Sequence, residues 1–145
     1  MDKKWIVLTI FLVIFGFLIL NGLNNSIHVG DSYFSLPEGY VEGNIVKYND
    51  VNITNGTTSL RIIEYNDNNI QEHIDKYVNY STNHNYSTKI NNFNVDGMNV
   101  YKSEIIQNNK TFHYWFIKKD KVYEIVTWDG NSYTDNTVFN LIKSN

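Results

Sequence analysis

The sequence predicts an α+β chain in which an N-terminal transmembrane helix precedes an antiparallel β-sheet with flanking helices. Three observations predict it. Residues 5–23 form an apolar run that is nearly uninterrupted. Apolar residues recur with helical spacing from Ile70 and again close to Lys143. Elsewhere, short segments alternate in polarity and are separated by turn-forming pairs such as Asn55-Gly56 and Asp96-Gly97.

The apolar run carries no charged side chain from Trp5 to Leu20 and no polar stripe, unlike the helix of a soluble core. At about 1.5 Å per residue it spans roughly 28 Å, close to a hydrocarbon thickness of about 30 Å. Lys3 and Lys4 precede it and the next charge is Asp31, which predicts an inside N-terminus and an outside C-terminus. Signal peptidase favours small residues at −3 and −1, and the sites ending at Gly22 or Ser26 place Leu20 or Asn24 at −3. The segment is therefore expected to be an uncleaved signal-anchor, and the absence of cysteine excludes a lipid-modified anchor. The expected organisation is a cytoplasmic tail at 1–4, a transmembrane helix at 5–23, a polar tether at 24–32 and an extracytoplasmic α+β domain at 33–145.

Beyond residue 23 the elements follow in order. Residues 33–36 read as a short strand stopped by Pro37-Glu38-Gly39, a turn in which proline presets φ and glycine supplies the permissive position. Residues 40–53 look extended, with a break around Asn49-Asp50, and Asn55-Gly56 turns the chain into a return strand at 58–65. On that strand Leu60, Ile62 and Glu64 share one face, and Arg61, Ile63 and Tyr65 the other. Asp67 or Asn68 can cap a helix to about Ser81, whose stripe of Ile70, Ile74, Tyr77, Val78 and Ser81 suits packing on a sheet. A weaker strand at 86–93 precedes three closely spaced strands at 98–107, 111–118 and 121–128. The middle one alternates Phe112, Tyr114 and Phe116 with His113, Trp115 and Ile117, so it is expected to be central and covered on both sides. A helix over 135–143, burying Val138, Phe139, Leu141 and Ile142, closes the chain.

Composition narrows the function classes. Residues 24–145 carry ten Lys or Arg and fourteen Asp or Glu, a formal charge of −4, which argues against nucleic acid. With no cysteine there are no disulfides, thiolate metal sites or cysteine nucleophiles, and the core must hold the fold. Asparagine is abundant at 23 residues, Lys far exceeds the single Arg61, and Ile and Tyr are common, a codon bias of A/T-rich prokaryotic, and here archaeal, genomes. Six Asn-x-Ser/Thr sequons begin at Asn24, Asn52, Asn55, Asn79, Asn85 and Asn109 and are candidates for N-glycosylation.

The segment Phe34-Ser35-Leu36-Pro37-Glu38-Gly39-Tyr40 resembles the opening F-x-x-P-x-G-[WY] motif of PsbP-like domains. Val95-Asp96-Gly97 leading into an aromatic meander, and a terminal helix capped by Ser or Thr, occur at similar relative places. The resemblance spans about residues 33–144. It implies an antiparallel sheet with flanking helices, and a role in binding or assembly rather than catalysis. The family shares no catalytic residues, so none carries over, and nothing in this sequence supports a photosynthetic role.

The search for chemistry is otherwise negative. His28, His73, His84 and His113 have no metal-ligand spacing, and residues 129–135 lack the glycine and glutamate of a calcium loop. No nucleophile elbow or phosphate-binding loop is present. Glu64, Glu104 and Glu124 lie on strands, where alternation is expected to place them on solvated faces. No catalytic residue, cofactor or metal is therefore expected. Tyr101, Tyr114, Trp115, Tyr123 and Trp128 are the candidate binding-surface aromatics, able to line a carbohydrate or peptide groove if not core.

The sequence thus predicts a single-pass cell-membrane protein whose outer PsbP-like domain is a binding or assembly module. Its expected partners are the membrane, through the N-terminal helix, and a protein or cell-envelope component. The alternatives are an extracytoplasmic enzyme acting on cell-envelope polymer and a surface protein binding a small apolar ligand.

Overall fold

Alternating side chains along short strands divide this chain into two apolar faces of one sheet. The computed structural model describes residues 9–14, 25–106 and 110–143. From residue 25 on, the described elements are β1 (Ser26–Val29), β2 (Ser32–Ser35), β3 (Val41–Lys47), β4 (Asp50–Thr54), β5 (Ser59–Glu64), α1 (Ile70–Asn83), β6 (Thr88–Val95), β7 (Met98–Ile106), β8 (Lys110–Lys118), β9 (Lys121–Thr127) and α2 (Thr134–Lys143). β1 and β2 form a separate hairpin. The other seven strands form one antiparallel sheet in the order β3-β4-β5-β9-β8-β7-β6.

Two runs of consecutive hairpins make this sheet, β3–β5 and β6–β9. They join at a single seam where β5 pairs with β9, from Leu60 opposite Thr127 to Glu64 opposite Tyr123. The turns within the second run have the backbone that tight hairpins require. Asp96 and Gly97 take φ of 55° and 84°, and Lys119 and Asp120 take 48° and 61°, the paired positive values that match strand twist.

One face of the sheet is closed. Val51 and Ile53, Leu60 and Ile62, Tyr114 and Phe116, and Tyr123 and Ile125 point into a core capped by Ile27, Val29 and Phe34 of the hairpin and by Val138, Leu141 and Ile142 of α2. Phe34 meets Phe116 and Tyr123 edge-on, with centroids 6.3 and 5.4 Å away. Two buried ionic groups fix what covers this face. Glu64 accepts from Asp31 N–H at 2.6 Å, from Lys121 Nζ at 3.2 Å and from the Tyr123 hydroxyl, which ties the β1–β2 turn to the seam. Gly30 is required there, since its φ is +57° and a Cβ would stand 2.1 Å from the Glu64 carboxylate. Lys102, only 4% exposed, bridges Glu104 at 2.7 Å and Asp135 of α2 at 2.8 Å, with its ammonium 4.0 Å from the Phe112 ring centre. Asp135 also accepts from the Tyr114 hydroxyl at 2.6 Å, so it holds the first turn of α2 on the sheet.

Among the described residues, α1 packs on the other face. Asn69 caps this helix, with Oδ1 accepting from Glu72 N–H at 3.4 Å and Nδ2 donating to Glu72 Oε2 at 3.2 Å. The helix ends where His84 N–H bonds the Tyr80 and Ser81 carbonyls and Asn85 turns to φ 58°. Its Ile74 is buried against Trp115 and Val122 over β8 and β9, with Ile70, Tyr77 and Val78 packed around them. Among the described residues, Asn52, Arg61 and Ile63 on the β4–β5 part of this face are half-buried.

Several expectations need correction. Among the described residues no helix is long and apolar enough to cross a membrane. Residues 9–14 are helical. The rest of the expected 5–23 helix lies outside the described residues. Membrane anchoring, the single-pass topology and the outward, cell-surface location all rested on that helix, and they are not supported. The fold class also changes, because strand accounts for 48% of the described residues and helix for 25%, a mainly β chain. Much of the excess strand lies where alternation is short or weak. Residues 24–32, expected to be a tether, include β1 and the start of β2, where Ile27 and Val29 are buried together with Gly30 and Ser32.

Candidate functional site

The uncovered half of the second face contains a cleft whose floor is set by strand register. Trp115 of β8 and Ile63 of β5 stand on either side of Glu124 of β9, and alternation turns all three toward α1. One wall comes from the helix. His73, Lys76, Tyr77 and Tyr80 recur at helical spacing and share the flank that overlooks Glu124. Tyr65, just beyond β5, closes one end, its N–H bonding the Val122 carbonyl at 2.8 Å and so extending the ladder. The open cleft has a volume of about 350 Å3.

Glu124 is 7% exposed and both of its oxygens are engaged. Oε2 accepts from the Tyr65 hydroxyl at 2.5 Å, and Oε1 lies 2.6 Å from His113 Nδ1. Burial, followed by the charge of Glu124 and its hydrogen bond, holds the Tyr65 phenol well above the usual tyrosine range, so it stays a neutral donor. The aromatic surfaces are layered. His113 stacks on Trp115 at 5.5 Å with a 15° tilt, and Tyr77 packs against both rings at 4.3 and 5.1 Å. His73 lies 4.0 Å from the Tyr65 ring, and its Nε2 is 3.0 Å from the Asp67 carboxylate, which that contact holds below the ordinary range. At the rim, Tyr80 is 54% exposed and packs on His84 at 4.1 Å.

The nearby cations are already matched. Arg61 reaches Asp50 through Nε at 2.7 Å and Nη2 at 2.6 Å, an arrangement that raises the guanidinium pKa further. Lys76, on the cleft flank of α1, pairs with Glu72 at 2.6 Å. The direct side-chain contacts of Glu124 and Asp67 are with phenol and imidazole groups, while Arg61 and Lys76 act on them through charge at longer range. No family model and no curated protein matches the sequence.

The five aromatics singled out from the sequence do not converge. Tyr114 and Tyr123 are fully buried on the closed face, where they donate to Asp135 and Glu64. Trp115 is buried but contributes to the cleft floor. Tyr101 borders a different depression beside Met98 and Ile117, and Trp128 is 44% exposed beyond the end of β9. The strand carboxylates were expected on solvated faces; Glu64 and Glu124 are instead buried, on opposite faces, so they cannot act as a pair. Among the described residues no group of His, Asp or Glu is arranged to hold a metal ion. Of the sequons, Asn55, Asn79 and Asn85 are exposed, while Asn52 is half-buried and donates to the Asn44 carbonyl at 3.2 Å. Asn24 and Asn109 lie outside the described residues.

Sequence reasoning missed Glu124, His113, Tyr65 and the α1 flank as a group. One signal was available. Glu124 occupies the same strand face as Val122 and Val126, and a carboxylate at an otherwise apolar position needs local partners.

Proposed function

We propose that this domain is a binding module of PsbP-like type, not an enzyme, and that it takes a small ligand in the cleft beside α1. The observation that carries the reading is the buried Glu124 carboxylate, oriented by Tyr65 and His113 at the floor of an aromatic-walled cleft. At about 350 Å3 the space suits a small molecule, near the lower end of the range of roughly 300–1,000 Å3 for such sites. The motif residues that carry the PsbP resemblance have core and turn roles. Phe34 fills the closed face, and Gly39 takes φ 79° in the turn before Tyr40. They support a shared architecture and add nothing to the cleft.

One arrangement favours the catalytic alternative and has to be weighed. Ser103 stands directly opposite His113 on the same face, and His113 in turn contacts Glu124, the residue types of a hydrolase triad. The chemistry is blocked by burial. The Ser103 hydroxyl is inaccessible, packed with those of Tyr77 and Ser81, and it makes no hydrogen bond to His113. A nucleophile that substrate cannot reach does not turn over.

The test is a fragment screen read by amide and side-chain NMR, combined with a fluorophosphonate probe. Shifts should cluster at Tyr65, His73, Tyr80 and Glu124, with no labelling of Ser103. Shifts scattered over the surface would refute the cleft, and stoichiometric labelling of Ser103 would restore the enzyme.

A further inference from the structure

We infer that this cleft, taken as the binding site proposed above, selects a methylated ammonium group as the cationic head of a small organic ligand. Charge is the first argument. Lys76 lines the cleft and Arg61 acts on Glu124, but Glu72, Asp50, Glu124 and Asp67 set four carboxylates against these two fixed cations, so the field in the cleft is negative. A free anion is disfavoured there, and a cation is attracted.

The walls are the second argument. Tyr65, Tyr77, Tyr80 and Trp115 surround the space, and a cation is drawn to the electron-rich faces of such rings. Hydrogen-bond capacity then chooses between kinds of cation. A primary ammonium brings three N–H donors that need acceptors once desolvated. Glu124 is only 7% exposed and each of its oxygens already has a partner, the Tyr65 hydroxyl on Oε2 and His113 on Oε1, which leaves one lone pair on each for the N–H groups of a cation. A methylated ammonium has few or no N–H groups to satisfy, and its polarised methyl surface needs only rings and a nearby negative charge. This cleft has those two features. A neutral molecule of the same shape would gain the ring contacts and forgo the field.

The experiment titrates choline and its uncharged carbon isostere 3,3-dimethylbutan-1-ol into the full chain, following the Trp115 indole and the Tyr65 and Tyr80 ring signals by NMR. Choline should shift these signals and bind at least about tenfold more tightly than the isostere. Equal affinities would overturn the inference about charge and leave the cleft as an apolar binding site. No shift of these signals with either compound would overturn the ammonium inference, and the fragment screen above then decides separately whether the cleft binds anything. Glu124→Gln should remove most of the preference for choline. Because that residue is buried, Tyr80→Ala at the exposed rim is the second variant. It should weaken choline several-fold while Tyr80→Phe does not, and unchanged affinity in Tyr80→Ala would count against the ring cage.

Discussion

The two faces of the seven-stranded sheet use the same ingredients, aromatic rings and a buried glutamate, to opposite effect. On the closed face Glu64 is surrounded by Asp31, Lys121 and Tyr123, and both the hairpin and α2 lie over the sheet. On the other face Glu124 meets Tyr65 from the β5 side and His113 from the β8 side, and α1 covers part of the surface. The comparison teaches that a buried carboxylate is no marker of function by itself. Glu64 has spent its acceptor capacity on holding two layers together. Glu124 is oriented by two side chains at the bottom of an accessible space.

The strongest way to break the contrast is at Gly30. An alanine there meets the Glu64 carboxylate at 2.1 Å and must hold φ +57°, so Gly30→Ala should cost about 3–5 kcal/mol, read by denaturant unfolding. Gly56 has φ +85° but open space around it, and Gly56→Ala should cost only about 1–2 kcal/mol. Equal effects would mean that the hairpin does not press on Glu64. The glutamates come next. Glu64→Gln should lose about 2–4 kcal/mol by leaving the Lys121 contact and buried donors mismatched, and Glu124→Gln about 1–2 kcal/mol. A reversed order would sink the assignment of faces.

Alkaline titration samples both faces together. Tyr114 and Tyr123 on the closed side and Tyr65 at the cleft all have their phenols pushed up, by burial first and then by a neighbouring carboxylate. Each raised value means that the folded chain keeps a proton which the unfolded chain releases near pH 10. Their contribution is complete below that pH and declines as pH rises above it. Phenolate absorbance should show these tyrosines ionising only with unfolding, and early, reversible ionisation of all eleven tyrosines would contradict it. The smallest effect belongs to the rim, where Tyr80→Ala should change stability by no more than about 0.5 kcal/mol.

Much of the strand meander was legible because β8 alternates aromatic residues on both faces and the Asp96-Gly97 pair names its own turn. The stripe Ile70, Ile74, Val78 and Ser81 likewise placed α1, although the cap is Asn69 and not Asp67 or Asn68. Hydropathy over residues 5–23 pointed to a spanning helix, whereas only residues 9–14 of that run are described and no described helix is long and apolar enough to cross a membrane. The cleft was not legible for a different reason. Glu124 finds Tyr65 across 59 residues of chain, and neither spacing nor period reports a neighbour supplied by sheet order. The sequence also contains nothing that says β5 should sit against β9, since several strands share their alternation.

That seam has a consequence in time. During synthesis β3, β4 and β5 emerge together, but the strand that completes their inner edge arrives only after α1 and three further strands. Until then the Leu60–Glu64 edge is an open template, with Ile62 and Leu60 uncovered beside it. The chain therefore matures late, in one closure that joins distant segments, and contacts of such long range make that closure the slow event. A chain halted at residue 120 should self-associate through β5, whereas one that reaches residue 143 should not. Quality control in the cell would thus meet this protein mostly as nascent chains that have not yet made β9.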